Sequence, residues 1–219
     1  MTQADGKPFP AKQNPTSSIR TAYLTLYNLV FATLWTSILI TTLSHIPKGK
    51  LKLFEATEPR IRWIQTITLI EVGHAAIGLV KSPVSTTFIQ VVTRVIQVWL
   101  IWHTFPETTA TSLAYGALVV AWSIADAVRY AYLALNLHGR APGSLVWLRY
   151  SMFYALYPVG IGAEWWLFYR AVGPAGDVSA VLPPVFYFLL ALYGPGAYKM
   201  YTYMIKQREK TLGRRAKSM

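Results

Sequence analysis

Tyr157 and Glu164 sit seven residues apart in the stretch LRYSMFYALYPVGIGAEWWLFYR, residues 148–170, which is apolar and aromatic enough to lie in a membrane. Seven residues at 100° each return to nearly the same helix face, about 10.5 Å farther along the axis. A phenol and a carboxyl group on one face suit proton transfer, because a positioned carboxylate can take a proton and a phenol can give one. Pro158, Gly160 and Gly162 lie between them. Proline removes a backbone hydrogen bond and glycine admits close approach of a neighbour, so the segment offers a kink or room for a substrate chain. The same residues also fit a packed helix with a glycine seam and a Glu164 paired to Arg94 or Arg129.

Four more ionisable residues fall inside apolar stretches: Glu71, Arg94, Asp126 and Arg129. Each costs roughly 2.5–3.5 kcal/mol at the centre of a membrane helix, so they are expected to face the bundle interior and pair. Gln90, Arg94 and Gln97 follow i, i+4, i+7 and should share one face, and Asp126 and Arg129 at i, i+3 can pair along their own helix. These groups read either as interhelical glue or as support for chemistry. Glu71 and His74 form a Glu-x-x-His, but di-iron bundles need a second copy, and none exists here. The remaining histidines, His45, His103 and His138, are scattered, so no metal site is expected. Cysteine is absent, which removes thiolate ligands and any cysteine nucleophile.

These residues have to be positioned by helices. The chain has 219 residues, 53% of them hydrophobic, and its apolar residues come in blocks of about twenty. Six spans are expected: 21–45, 63–80, 84–105, 112–135, 147–169 and 182–205. The fold class is therefore all-α, a polytopic six-transmembrane-helix bundle. Residues 1–20 are polar and proline-bearing and read as a disordered cytoplasmic tail, 21–205 as the membrane domain, and 206–219 as a basic cytoplasmic tail. The formal net charge of +12 points to anionic lipid or an anionic ligand rather than nucleic acid. Most Lys and Arg outside the spans fall on the side that holds both termini, which puts those termini in the cytoplasm; the basic first loop, with Lys48, Lys50, Lys52, Arg60 and Arg62, works against it.

The segment LRYSMFYALYPVGIGAEW resembles the active-site segment of the membrane-bound very-long-chain (3R)-3-hydroxyacyl-CoA dehydratases, once labelled protein-tyrosine-phosphatase-like. YLTLYN, EVGHAAIGLVKSP, TRVIQVWLI, AWSIADAVRY and YMIKQREK continue the likeness over roughly residues 21–210. The resemblance implies a hydro-lyase of the endoplasmic reticulum membrane. Its reaction is the third step of very-long-chain fatty acid elongation: water is removed from a 3-hydroxyacyl-CoA to give the trans-2-enoyl-CoA. It also implies Tyr157 and Glu164 as the catalytic pair, with Glu71, Gln90, Arg94, Arg129 and Gly160 in support. No cofactor or metal is implied, and other elongation enzymes are the expected partners. ADAVR stands where the family often has TEIVR, so Asp126 replaces a glutamate while the acid–Arg spacing is kept. A Cys-x5-Arg phosphatase nucleophile is impossible here. Arg149 and the basic tail can attract the CoA phosphates. Which of Tyr157 and Glu164 is acid and which is base is open at this stage. The rival readings are a non-catalytic scaffold of the elongation complex, a sterol-isomerase-like bundle and, on weaker grounds, a transporter.

Overall fold

The structure, a computed structural model, describes residues 15–216. They form an all-helical protein: among the described residues there is no strand. Among the described residues nine α-helices run in order: α1 (Pro15–His45), α2 (Lys50–Ile67), α3 (Ile70–Ala76), α4 (Val84–Ile96), α5 (Pro106–Ala110), α6 (Leu113–Asn136), α7 (Gly143–Ser151), α8 (Phe153–Val178) and α9 (Leu182–Ala216). Gln97–His103 carries α4 onward in π-helical form. Among the described residues three stretches are long and apolar enough to cross a membrane: Ser18–Lys48, Val84–His103 and Leu113–Asn136. Residues 15–20, read from sequence as tail, belong to α1, and residues 1–14 lie outside the described residues.

α6 is the hub. It lies between α1 and α8, and α9 packs on the far side of α8. On α1 the buried stripe is Leu24, Asn28, Phe31, Trp35, Ile38 and Thr42, which alternates four- and three-residue steps and so keeps one face toward a partner helix. The outward face of α1 is also apolar, with Leu26, Leu29, Val30, Ile40 and Leu43 exposed. A helix apolar all round does not belong in water, and lipid is the solvent that suits it. Ser112 caps α6 by accepting from the Ala114 amide at 3.2 Å. The core beneath is aromatic: Trp102 packs edge-on against Tyr115 at 4.9 Å and stacks with Trp122 at 5.3 Å. Truncating a ring such as Trp102 to alanine would cost about 3–5 kcal/mol.

Two helices end in the same way. Gly78 and Gly139 take positive φ, and the next residue closes back, Leu79 N–H to the His74 carbonyl and Arg140 N–H to the Leu135 carbonyl. Only glycine adopts that backbone without strain, and the bond satisfies a carbonyl left over at the helix end.

The helices depart from the expected spans at several points, among them residues 206–216, read from sequence as a basic tail, which belong to α9. The second expected span, 63–80, straddles α2 and α3, and α2 starts back at Lys50 in what reads as a loop. The cause is amphipathicity: Leu53, Phe54, Thr57, Ile61 and Ile64 bury one face while Lys50, Lys52 and Glu55 stay exposed. The fifth is divided at Met152 into α7 and α8. Helix α8 then runs unbroken through Pro158 and Pro174, so the irregularity lies upstream of the proline that first suggested it.

Candidate active site

Tyr157, Gly160 and Glu164 follow i, i+3, i+7 on α8, so the glycine lies between the other two on one face. A methyl group built on Gly160 would meet nothing within 4 Å, and the same holds at Gly162. The glycines therefore do not serve the close helix–helix approach that their residue type suggests. They leave local space at two positions between Tyr157 and Glu164 in the sequence of α8.

Glu164 is held from two other helices. Trp122 on α6 donates its indole N–H to Oε1 at 2.9 Å, and Tyr193 on α9 directs its hydroxyl at Oε2 at 3.5 Å. No ion pair reaches Glu164 among the described residues, so the alternative of direct pairing to Arg94 or Arg129 is not what the fold adopts. The half-buried Tyr157 donates instead to the Ala197 carbonyl of α9 at 3.4 Å, with its ring 5.9 Å from that of Tyr201. A groove of about 270 Å³ lies there, lined by Tyr157, Pro158, Ile161, Ala197, Tyr198 and Tyr201. A second, apolar groove of about 330 Å³ runs between α6 and α8 past Ala117, Ala121, Leu156 and Val159.

Glu71, Arg94, Asp126 and Arg129 come together as one ion chain across three helices. Arg94 of α4 bonds Asp126 of α6, Arg129 of α6 approaches Asp126 at 3.8 Å, and Arg129 donates to Glu71 of α3 at 2.5 Å. The Asp126–Arg129 pairing along α6 therefore exists, but each residue's shortest contact is with another helix. Glu71 also accepts from the Tyr130 hydroxyl and, at 3.3 Å, from Tyr27. Asp126 and Glu71 are nearly inaccessible, at 3% and 8% exposure, so these partners stand in for water. The Glu71 carboxylate is thereby engaged with Arg129 and two phenols, while the His74 ring meets the Tyr23 hydroxyl at 2.8 Å.

Gln90 stands apart. It is exposed on α4, where Val91 takes the buried position, and its side chain makes no hydrogen bond among the described residues. Gln97, which shares its expected face, is buried at the start of the π-helical turn. Arg149 has no carboxylate partner among the described residues; its guanidinium lies 5.7 Å from the centre of the Tyr150 ring.

Sequence reasoning missed Trp122, Tyr193, Tyr130 and Tyr27. A signal existed for two of them. In AWSIADAVRY, Trp122, Asp126, Arg129 and Tyr130 fall at i, i+4, i+7, i+8, one face of α6. An intramembrane carboxylate requires donors, and that face supplies them.

Comparison with known proteins identifies the family of the chain. A family described as protein tyrosine phosphatase-like protein, PTPLA, matches residues 65–214. The chain is 38% identical over 200 residues to a Schizosaccharomyces pombe protein named probable very-long-chain (3R)-3-hydroxyacyl-CoA dehydratase, covering 90% of this chain and 96% of that one. It is 36% identical to the Arabidopsis thaliana dehydratase PASTICCINO 2, over 90% of this chain and 96% of the relative. Identity to the Homo sapiens very-long-chain (3R)-3-hydroxyacyl-CoA dehydratase 2 is 32%, over 89% of this chain and 82% of the relative. No solved structure matches the chain. With most of its length matched in this way, the chain belongs to the protein tyrosine phosphatase-like family, PTPLA.

Proposed function

We propose that this protein is a hydro-lyase that removes water from very-long-chain (3R)-3-hydroxyacyl-CoA to give the trans-2-enoyl-CoA, with Glu164 and Tyr157 as its acid–base pair. The relatives' names supply the reaction. The observation that carries the residue assignment is the open space at Gly160, set between a phenol and a carboxylate on one helix face.

Dehydration breaks the C2–H and C3–O bonds and forms a C2–C3 double bond, releasing one water. Glu164 takes the C2 proton, and Tyr157 gives its proton to the departing 3-hydroxyl. The proton then passes from Glu164 back to Tyr157, which restores both groups. Two donors aimed at the Glu164 carboxylate suit a base, and a phenol resting as donor on a backbone carbonyl suits an acid. The ion chain fixes α3, α4 and α6 relative to each other and so fixes the floor on which Glu164 rests.

The reading extends to a six-span bundle in the endoplasmic reticulum membrane with both termini cytoplasmic. The apolar groove between α6 and α8 suits the acyl tail, and Arg149, free of carboxylate partners, suits the CoA phosphates. Other elongation enzymes are the partners such a product calls for.

The test is direct. Purified protein in detergent is given long-chain (3R)-3-hydroxyacyl-CoA, and enoyl-CoA is followed. Turnover is expected. Its absence would favour the scaffold reading, and isomerisation of a sterol in its place would favour the isomerase.

A further inference from the structure

Glu164 is the charged residue of this site that the ion chain does not reach, and the side chain that spans the gap is Trp122. Its indole N–H is on Glu164 Oε1 at 2.9 Å, and the Arg94 guanidinium lies 4.8 Å from the centre of its ring. Arg94 in turn bonds Asp126, one turn along α6 from Trp122. The ring has little freedom: Trp122 is 3% exposed and stacked with the fully buried Trp102. An indole carries one donor and no acceptor, so a fixed ring dictates where the carboxylate oxygen sits.

We infer that Trp122 is a positioning residue for dehydration, orienting the Glu164 carboxylate by its N–H and coupling it through the ring face to Arg94 and the ion chain. This rests on the role of Glu164 proposed above. A base misplaced by about 1 Å loses about 100-fold in rate, which is why an apolar-looking tryptophan can matter here. Tyr193, at 3.5 Å, is the weaker of the two holds.

The discriminating variant is Trp122→Phe, which keeps a ring against Trp102 and Arg94 and deletes the N–H. Its kcat is expected to fall about 10- to 100-fold with KM within about threefold of wild type. Tyr193→Phe is expected to lose about two- to fivefold. The second readout is spectroscopic. In protein labelled with ¹⁵N-tryptophan, Glu164→Gln should move the Trp122 indole N–H resonance and leave the resonances of distant tryptophans in place. Single Trp→Phe replacements assign the eight tryptophan signals, so the shift can be read even if Trp122→Phe does not fold. Unchanged kcat in a folded Trp122→Phe protein, or an unmoved Trp122 resonance in Glu164→Gln, overturns the inference. Full turnover by Glu164→Gln is a different failure: it removes the proposed role of Glu164 itself.

Discussion

The Tyr157 hydroxyl and the Glu164 carboxylate share one face of α8 but not a hydrogen bond: the phenol rests on the Ala197 carbonyl, and the carboxylate rests on Trp122 and Tyr193. Two groups that bonded each other would close the space between them. Held apart by contacts to other helices, they leave room beside the buried Gly160, where an added methyl meets nothing within 4 Å, and the proposed mechanism seats the substrate's C2 and C3 there.

Replacing Tyr157 by phenylalanine therefore removes a proton donor and little else. The bond it loses is a long 3.4 Å contact to a carbonyl, so folding stability should change by less than about 1 kcal/mol. The dehydration rate should fall about 100- to 10,000-fold. Thermal unfolding in detergent and enoyl-CoA formation, measured on one preparation, separate the two effects.

Gly160→Ala should split stability from activity in the opposite sense to an ordinary core mutation. Nothing lies within 4 Å of the added methyl, and alanine favours a helix over glycine by about 0.5–1 kcal/mol, so the thermal midpoint should hold or rise. Under the proposed roles of Tyr157 and Glu164, catalysis should fall at least about tenfold, because the methyl enters space that the mechanism assigns to substrate. A variant as active as wild type would mean that the gap is not the substrate's seat.

Asp126 is expected to be the costliest member of the ion chain to neutralise. Asp126→Asn leaves Arg94 without its carboxylate and Arg129 with Glu71 alone, at a cost of about 3–5 kcal/mol. Asp126→Glu keeps the charge and should retain most of the stability. Comparing thermal midpoints of the two variants checks this.

Much of this arrangement is legible in the sequence. α6 follows from its apolar run, while the run 147–169 locates the helical region of α8 but neither its break at Met152 nor its continuation to Val178, and the Glu71, Arg94, Asp126 and Arg129 set follows from the cost of charge in hydrocarbon. α2 is not legible in that way, because Lys50, Lys52 and Glu55 on its exposed face dilute a hydropathy window that its buried Leu53, Ile61 and Ile64 would otherwise dominate. The Gln90–Arg94–Gln97 stripe divides because α4 turns Val91 inward and changes its winding at Gln97. Trp122 is legible only in part: its spacing to Asp126 and Arg129 places it on the polar face of α6, but its bond to Glu164 depends on how α6 is rotated against α8, which no spacing within either helix encodes.

Arg149 should act on the CoA moiety and not on the chemistry. Arg149→Gln is expected to raise KM for the CoA thioester about three- to tenfold at unchanged kcat, with the difference shrinking as salt is added. A short thioester lacking the CoA phosphates should not distinguish the variant from wild type. Equal KM values for both proteins on the CoA substrate would take Arg149 out of the site.

The measurement that bears most directly on acid–base dehydration is turnover by Glu164→Gln, Tyr157→Phe and the double variant with long-chain (3R)-3-hydroxyacyl-CoA. If the two side chains act as one unit, each single variant loses about 100-fold or more, and the double variant is little worse than the poorer single. Either single variant turning over at the wild-type rate while folded would contradict it.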